Sequence, residues 1–164
     1  MNKTEFENKY NVNLIDKNDS ILMKIVGFLL KPFTPQFMAF FFTTYRLPFQ
    51  TKGTIAYPVG LDPMRFPDVL LHELMHVEQQ KTAWGLFKSA LLVSVFPLPM
   101  FFSGRWFIER EPYAVDIYKG LRTIDGAVDI LWNSYLFPWP KPLMRAFFEK
   151  RVKELKEANI KVFL

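Results

Sequence analysis

Cysteine is absent from these 164 residues, and histidine occurs only twice. The first absence removes disulfides, thiolate metal ligands and thiol nucleophiles. The second leaves two imidazoles for every role that needs one. Low-complexity linkers and internal repeats are missing too, and glycine is sparse at seven residues. No clean apolar run reaches the roughly 20 residues that a membrane-spanning helix needs. The nearest are ILMKIVGFLL (21–30), which carries Lys24, and SALLVSVFPLPMFF (89–102), which contains Pro97 and Pro99. Each is expected as a buried core helix, with shallow membrane attachment as the alternative. The N-terminal MNKTEFENKYN is polar and mixed in charge, unlike a secretory signal. A cytoplasmic or peripheral membrane-associated location is therefore expected.

What is present is a large apolar inventory. Half the residues are hydrophobic and 17% are aromatic, including 18 Phe. That excludes general disorder and suits one domain spanning residues 1–164 with a real core. The formal charge of +5 is modest. Much of the excess lies at Arg145, Lys150, Arg151, Lys153, Lys156 and Lys161, interleaved with Glu149, Glu154 and Glu157. Such a helix is expected to present a solvated face. Phe147, Phe148, Val152 and Leu155 give it an apolar side, so contact with an anionic membrane surface is the minority reading. No basic cluster accompanies a nucleic-acid-binding motif, and no nucleic-acid partner is expected.

Along the chain, residues 1–20 read as a polar lead-in with little structure. A helix follows over Ile21 to Leu30, closed by Lys31-Pro32. Met38 to Tyr45 fits a strand or a buried helix equally well. Gly53 to Tyr57 reads as a strand, bounded by Gly53, Pro58 and Gly60. Asp68 is the expected N-cap of a helix running to about Thr82. Further helices are expected over Leu86 to Phe96, from near Arg105–Pro112 to about Thr123, and from Pro142 to Ala158. The fold class is α+β and mostly helical, with a small sheet.

Both histidines lie in LLHELMHVEQQ, residues 70–80. At about 100° per residue, His72 and His76 stand about 40° apart on a helix, one turn above the other. Glu73 flanks them, and Gln79 and Gln80 complete that side. Leu70, Leu74 and Val77 fall opposite, with Leu71 and Met75 extending the apolar face. Imidazoles at this spacing can aim one ring nitrogen each at a single zinc ion. Glu73 then stands beside the ion, placed to take a proton from a water whose pKa the ion lowers toward about 7. The bland reading is a solvated helix face that happens to carry His, Glu and Gln.

A catalytic zinc site takes three protein ligands and a water. Without cysteine or a third histidine, the third ligand must be a carboxylate. Glu78 is about 200° around the helix from the histidine pair and is excluded. Thr82 and Gln79 occupy the positions where a metzincin would place its last His and its Gly. The remaining candidates lie in RWFIEREPYAVDIYKG, residues 105–120. On a helix Glu109, Tyr113 and Asp116 share one face, and Glu111 lies on the other with Ala114, Val115 and Tyr118. If the helix begins near Glu109, Pro112 is tolerated in its first turn. If it begins at Pro112, Glu111 is its N-cap. Glu109 is the preferred ligand and Glu111 the alternative.

HELMH followed about thirty residues later by E-x-E-x-Y-A resembles the gluzincin branch of the zincin metallopeptidases. It is similar in particular to small metallopeptidases with an HELxHVxQQ helix and a later E-x-E-A-Y-A segment. The resemblance covers about 50 residues, Asp68 to Lys119. In larger relatives the later segment is E-x-x-A-D, whose first Glu binds zinc. That position falls here on Glu109, while the Ala becomes Pro112 and the Asp becomes Tyr113. In such families the Asp supports a zinc-binding histidine; Tyr113 or Asp116 would have to do so here. The resemblance implies a zincin-like fold, with a small antiparallel sheet on the HExxH helix. Its edge strand, expected at Gly53 to Pro58, would pair with an extended substrate.

The implied activity is zinc-dependent hydrolysis of a peptide or protein substrate. His72, His76 and Glu109 would hold Zn2+, and Glu73 would be the general base. Tyr113, Tyr57 or Arg105 would stabilise the oxyanion. Two other classes stand beside it: a zincin-like metal-binding module without turnover, and a membrane-surface protein in which the metal is secondary.

Overall fold

The computed structural model describes residues 1–31, 37–39, 41–43, 51–81, 104–134 and 139–158. The expected helix over Leu86 to Phe96 lies outside the described residues, as do the whole apolar segment 89–102 and Thr82. Among the described residues the fold is α+β and mostly helical, with six α-helices and a three-stranded sheet. None of these helices is long and apolar enough to cross a membrane. The chain divides into two compact units, Met1–Leu86 and Phe87–Leu164.

The first unit begins with structure where a polar lead-in was expected. Helix α1, Lys3–Tyr10, opens on a capping box in which Asn2 and Glu5 satisfy each other's backbone donors. It closes at Asn11, which adopts the left-handed conformation at φ 52°. Strand β1, Val12–Asp16, follows directly. Phe6, Val12 and Leu14 are buried, so three apolar side chains anchor an otherwise polar stretch. They escaped the sequence reading because composition averages over the alternation that places them inward. Glu7 reaches across to accept the Leu14 amide at 2.7 Å.

Strand β3, Gly53–Tyr57, lies where the sequence places it, but in the centre of the sheet. It pairs in parallel with β1, Val12 opposite Gly53 through Asp16 opposite Tyr57. On its other side it pairs antiparallel with the two-residue β2, Phe42–Thr43. The sheet is therefore mixed rather than antiparallel. The expectation of a substrate-pairing edge strand at Gly53 to Pro58 is overturned as well, since both edges of β3 are occupied.

Helix α3, Pro67–Gln79, packs on one face of this sheet through Leu70, Leu74 and Val77, against Ile55, Tyr57, Val12, Leu14 and Phe6. Its N-terminus differs from expectation. Pro67 begins the helix and Phe66 is the N-cap, so Asp68 sits in the first turn, where its carboxylate meets the helix dipole. Gly53 sits where β3 crosses α3: a Cβ there would stand 2.4 Å from Val77 Cγ1. The other face of the sheet is met by α2, Ile21–Leu30, capped by Ser20. Its buried Met23 packs with Ala56, Ile15, Met38 and Phe42. Against the expectation of a core helix, Ile21, Leu22, Ile25 and Phe28 of α2 are exposed.

The second unit contains α4, Gly104–Tyr118; α5, Ile124–Ser134; and α6, Lys141–Glu157. Helix α6 packs on α4 and on α5. Its buried face is Met144, Phe148, Val152 and Leu155, a spacing of one residue per turn. Trp106 of α4 meets Phe147 and Phe148 edge-on, with ring centroids 5.2 and 5.6 Å apart. The apolar side of this basic helix is thus used internally, and its charges pair with Asp125, Asp129 and Glu111. Helix α5 was not anticipated. Its signals are Thr123, whose hydroxyl accepts the Gly126 amide, and the buried Ala127, Val128 and Leu131.

Candidate metal centre

Helix α3 carries both imidazoles on consecutive turns, as the spacing requires. Their ring centroids are 5.2 Å apart, edge to face. His72 is buried and His76 partly so. His76 Nδ1 lies 3.1 Å from Gln79 Oε1. With that amide oxygen as acceptor, Nδ1 carries the hydrogen and Nε2 keeps the lone pair that a metal requires. Gln79, expected only to share the polar face, therefore orients the His76 ring.

Glu73 is buried, at 8% exposure, and it is held. The Thr43 hydroxyl, on β2, donates to its Oε2 at 2.6 Å and also lies 3.0 Å from its main-chain oxygen. The ammonium of Lys17, just after β1, adds positive charge nearby. Lys17 is wholly buried, with its Nζ 5.9 Å from the centroid of the Phe42 ring. Burial pushes its pKa from 10.5 down to about 8, and the negative charge of Glu73 works in the opposite direction. Neither Thr43 nor Lys17 was anticipated. Thr43 lay in a stretch whose periodicity fitted strand and helix alike, and Lys17 lay in the supposed lead-in. Only the pairing of β1 and β2 with β3 carries them toward α3.

On α4, Glu109 is buried at 5% exposure and Tyr113 at 8%. The helix starts earlier than either expected register, so Pro112 lies in its interior and cannot donate to the carbonyl one turn back. Glu111 is accordingly no N-cap. Its Oε2 accepts from Arg151 Nε at 2.9 Å, in a surface pair also engaging Glu154. Asp116 is buried, and its carboxylate accepts from Arg122 Nε at 3.3 Å. The Arg122 guanidinium also sits over Tyr113, 5.5 Å from the ring centroid. Gly120, at φ 73° just beyond the helix, brings the Leu121 amide back onto the Asp116 carbonyl.

Of the other expected oxyanion donors, Tyr57 lies in the first unit's core with its hydroxyl accepting from Lys3 Nζ at 3.3 Å. The Arg105 side chain lies outside the described residues. His72 and His76 in the first unit, and Glu109 in the second, each offer one atom of the kind that ligates a metal ion. Two imidazoles and a carboxylate are a donor set of the kind that catalytic zinc takes, with no soft sulfur ligand. The chain matches no family model, no curated protein and no solved structure.

Proposed function

We propose that the protein is a zinc-dependent peptide hydrolase of the zincin kind, with His72, His76 and Glu109 as zinc ligands and Glu73 as general base. The observation that carries the reading is the pairing, on consecutive turns of α3, of two imidazoles at ligand spacing with a carboxylate held separately by Thr43. A helix face that was merely solvated would leave these groups in water, yet His72 and Glu73 are each 8% exposed. The engagement of Glu111 by Arg151 favours Glu109 as the third ligand over that alternative.

Zinc bound there supplies Lewis acidity toward a peptide carbonyl and lowers the pKa of water toward about 7. The protein's own groups supply the rest. Glu73 accepts the proton of the attacking water through the carboxylate oxygen opposite the Thr43 bond, then delivers it to the leaving amine. Thr43 keeps that carboxylate in one rotamer and lends a donor to its charge. Gln79 fixes the tautomer of His76. Tyr113 is the proposed donor to the developing oxyanion, and the Asp116–Arg122 pair below it steadies α4. The substrate is a peptide or protein.

Metal analysis and a peptide-library digest test this directly. The expected result is about one zinc per chain, lost in His76→Ala and Glu109→Gln. Peptide cleavage should vanish in Glu73→Gln with zinc retained. Purified protein without zinc would refute the ligand set. Zinc held tightly with no peptide cleaved would assign the chain instead to a metal-binding module without turnover.

A further inference from the structure

We propose that the outer face of α2 docks the protein onto an anionic lipid bilayer. Four large apolar side chains of this helix face solvent: Ile21 is 76% exposed, Leu22 59%, Ile25 53% and Phe28 78%. At about 100° per residue, Ile21, Ile25 and Phe28 fall within about 60° of one another, Leu22 borders them, and Met23 points to the opposite side. Among the described side chains of α2, Met23 is the one buried against the sheet, on the side away from this stripe. Scattered single apolar residues on a surface need no explanation; a continuous stripe of four along one helix marks a contact surface.

Charge identifies the occupant. Lys24 and Lys31 are both exposed, on the same flank of the stripe, about 60–80° from Ile21. From Ser20 to Lys31 there is no carboxylate, and the whole chain carries +5. An apolar wedge flanked by ammonium groups matches the boundary between acyl chains and anionic headgroups. A second copy fits less well, because an antiparallel twofold contact through this stripe would bring the same lysines together along one side of the interface. The helix has 10 residues, about 15 Å of length against an apolar bilayer core of about 30 Å, so it lies in the surface rather than across it. This inference does not depend on the metal-site reading.

Flotation of the full chain with vesicles tests it. The protein is expected to float with phosphatidylcholine vesicles containing phosphatidylglycerol, and to bind vesicles of phosphatidylcholine alone roughly tenfold more weakly or worse. Ile25→Ser/Phe28→Ser should stay at the bottom of the gradient with an unchanged circular dichroism spectrum. Lys24→Glu/Lys31→Glu should lose the preference for anionic vesicles. A Phe28→Trp variant, which keeps the apolar face, should be quenched by brominated lipid beyond the wild-type level. Wild-type protein that fails to float, floats equally with neutral vesicles, or floats unchanged in the serine variant overturns the proposal. So does equilibrium sedimentation showing a dimer that the serine variant abolishes, which would give the face to a second copy.

Discussion

Replacing Gly53 by Ala puts the packing of the histidine helix to the test. The backbone at Gly53 lies outside the left-handed region, so alanine is excluded by space alone. A methyl there would stand 2.4 Å from Val77 Cγ1, 2.9 Å from Cγ2 and 3.2 Å from Cβ. Carbon atoms pack best at about 3.5–4.0 Å, so the nearest contact is short by more than about 1 Å. Val77 cannot swing aside, because a β-branched residue in a helix has one strongly preferred χ1 and a turn would bring its other methyl into the gap. Overpacking of this kind costs about 1–3 kcal/mol. The backbone entropy recovered by replacing a strand glycine returns about 0.5–1 kcal/mol. The net loss should be about 1–2 kcal/mol, which lowers Tm by roughly 2–8 °C for a chain of this size. Urea denaturation followed by far-ultraviolet circular dichroism measures it. Val77→Ala removes both crowding methyls, so Gly53→Ala/Val77→Ala should be more stable than the sum of the single losses predicts by about 1 kcal/mol or more. A neutral Gly53→Ala, or costs that add within about 0.5 kcal/mol, would refute the claimed contact between β3 and α3.

Three further outcomes follow from the site. Thr43→Val should leave zinc content unchanged and lower kcat/KM for peptide cleavage by about 10–100-fold, the worth of one hydrogen bond to a charged group, with Thr43→Ser near wild type. Steady-state kinetics beside metal analysis checks this. Glu111→Gln should retain zinc whereas Glu109→Gln loses it, and equal losses would remove the distinction drawn from the Arg151 pair. Lys17 gives stability a pH dependence of definite sign. Its folded pKa of about 8 lies below 10.5, so between these values the unfolded chain holds more protons and stability rises with pH. The gain is complete above 10.5 and is lost as pH falls through about 8. Lys17→Met should abolish that rise, read as the urea midpoint against pH, and an unchanged profile would place the ammonium in water.

Much of the candidate site was legible because its spacing is local. Two histidines at i and i+4, with Leu70, Leu74 and Val77 opposite, place both imidazoles on one side of a helix whatever surrounds it. With no cysteine and no third histidine, a third metal ligand could only be a carboxylate, and helix phase alone puts Glu109 and Glu111 on different faces. The strand at Gly53–Tyr57 and the last helix were readable for the same reason, since turn residues and a one-per-turn apolar spacing are written within a few positions.

What tertiary structure alone decided depends on residues far apart in the chain. Thr43 meets Glu73 across 30 positions, and no local pattern marks a threonine as the partner of a distant carboxylate. Lys17 is buried because β1 pairs with β3 in a particular register, a choice made by long-range hydrogen bonds rather than by the polar residues around it. The same pairing made β3 central and closed its edge to a substrate. Helix α2 shows the converse: its apolar composition is identical whether it is buried or exposed, and only its packing on the sheet decided that Met23 goes in while Ile21, Ile25 and Phe28 stay out. Periodicity determines which side chains share a face; what that face meets is settled by the rest of the fold.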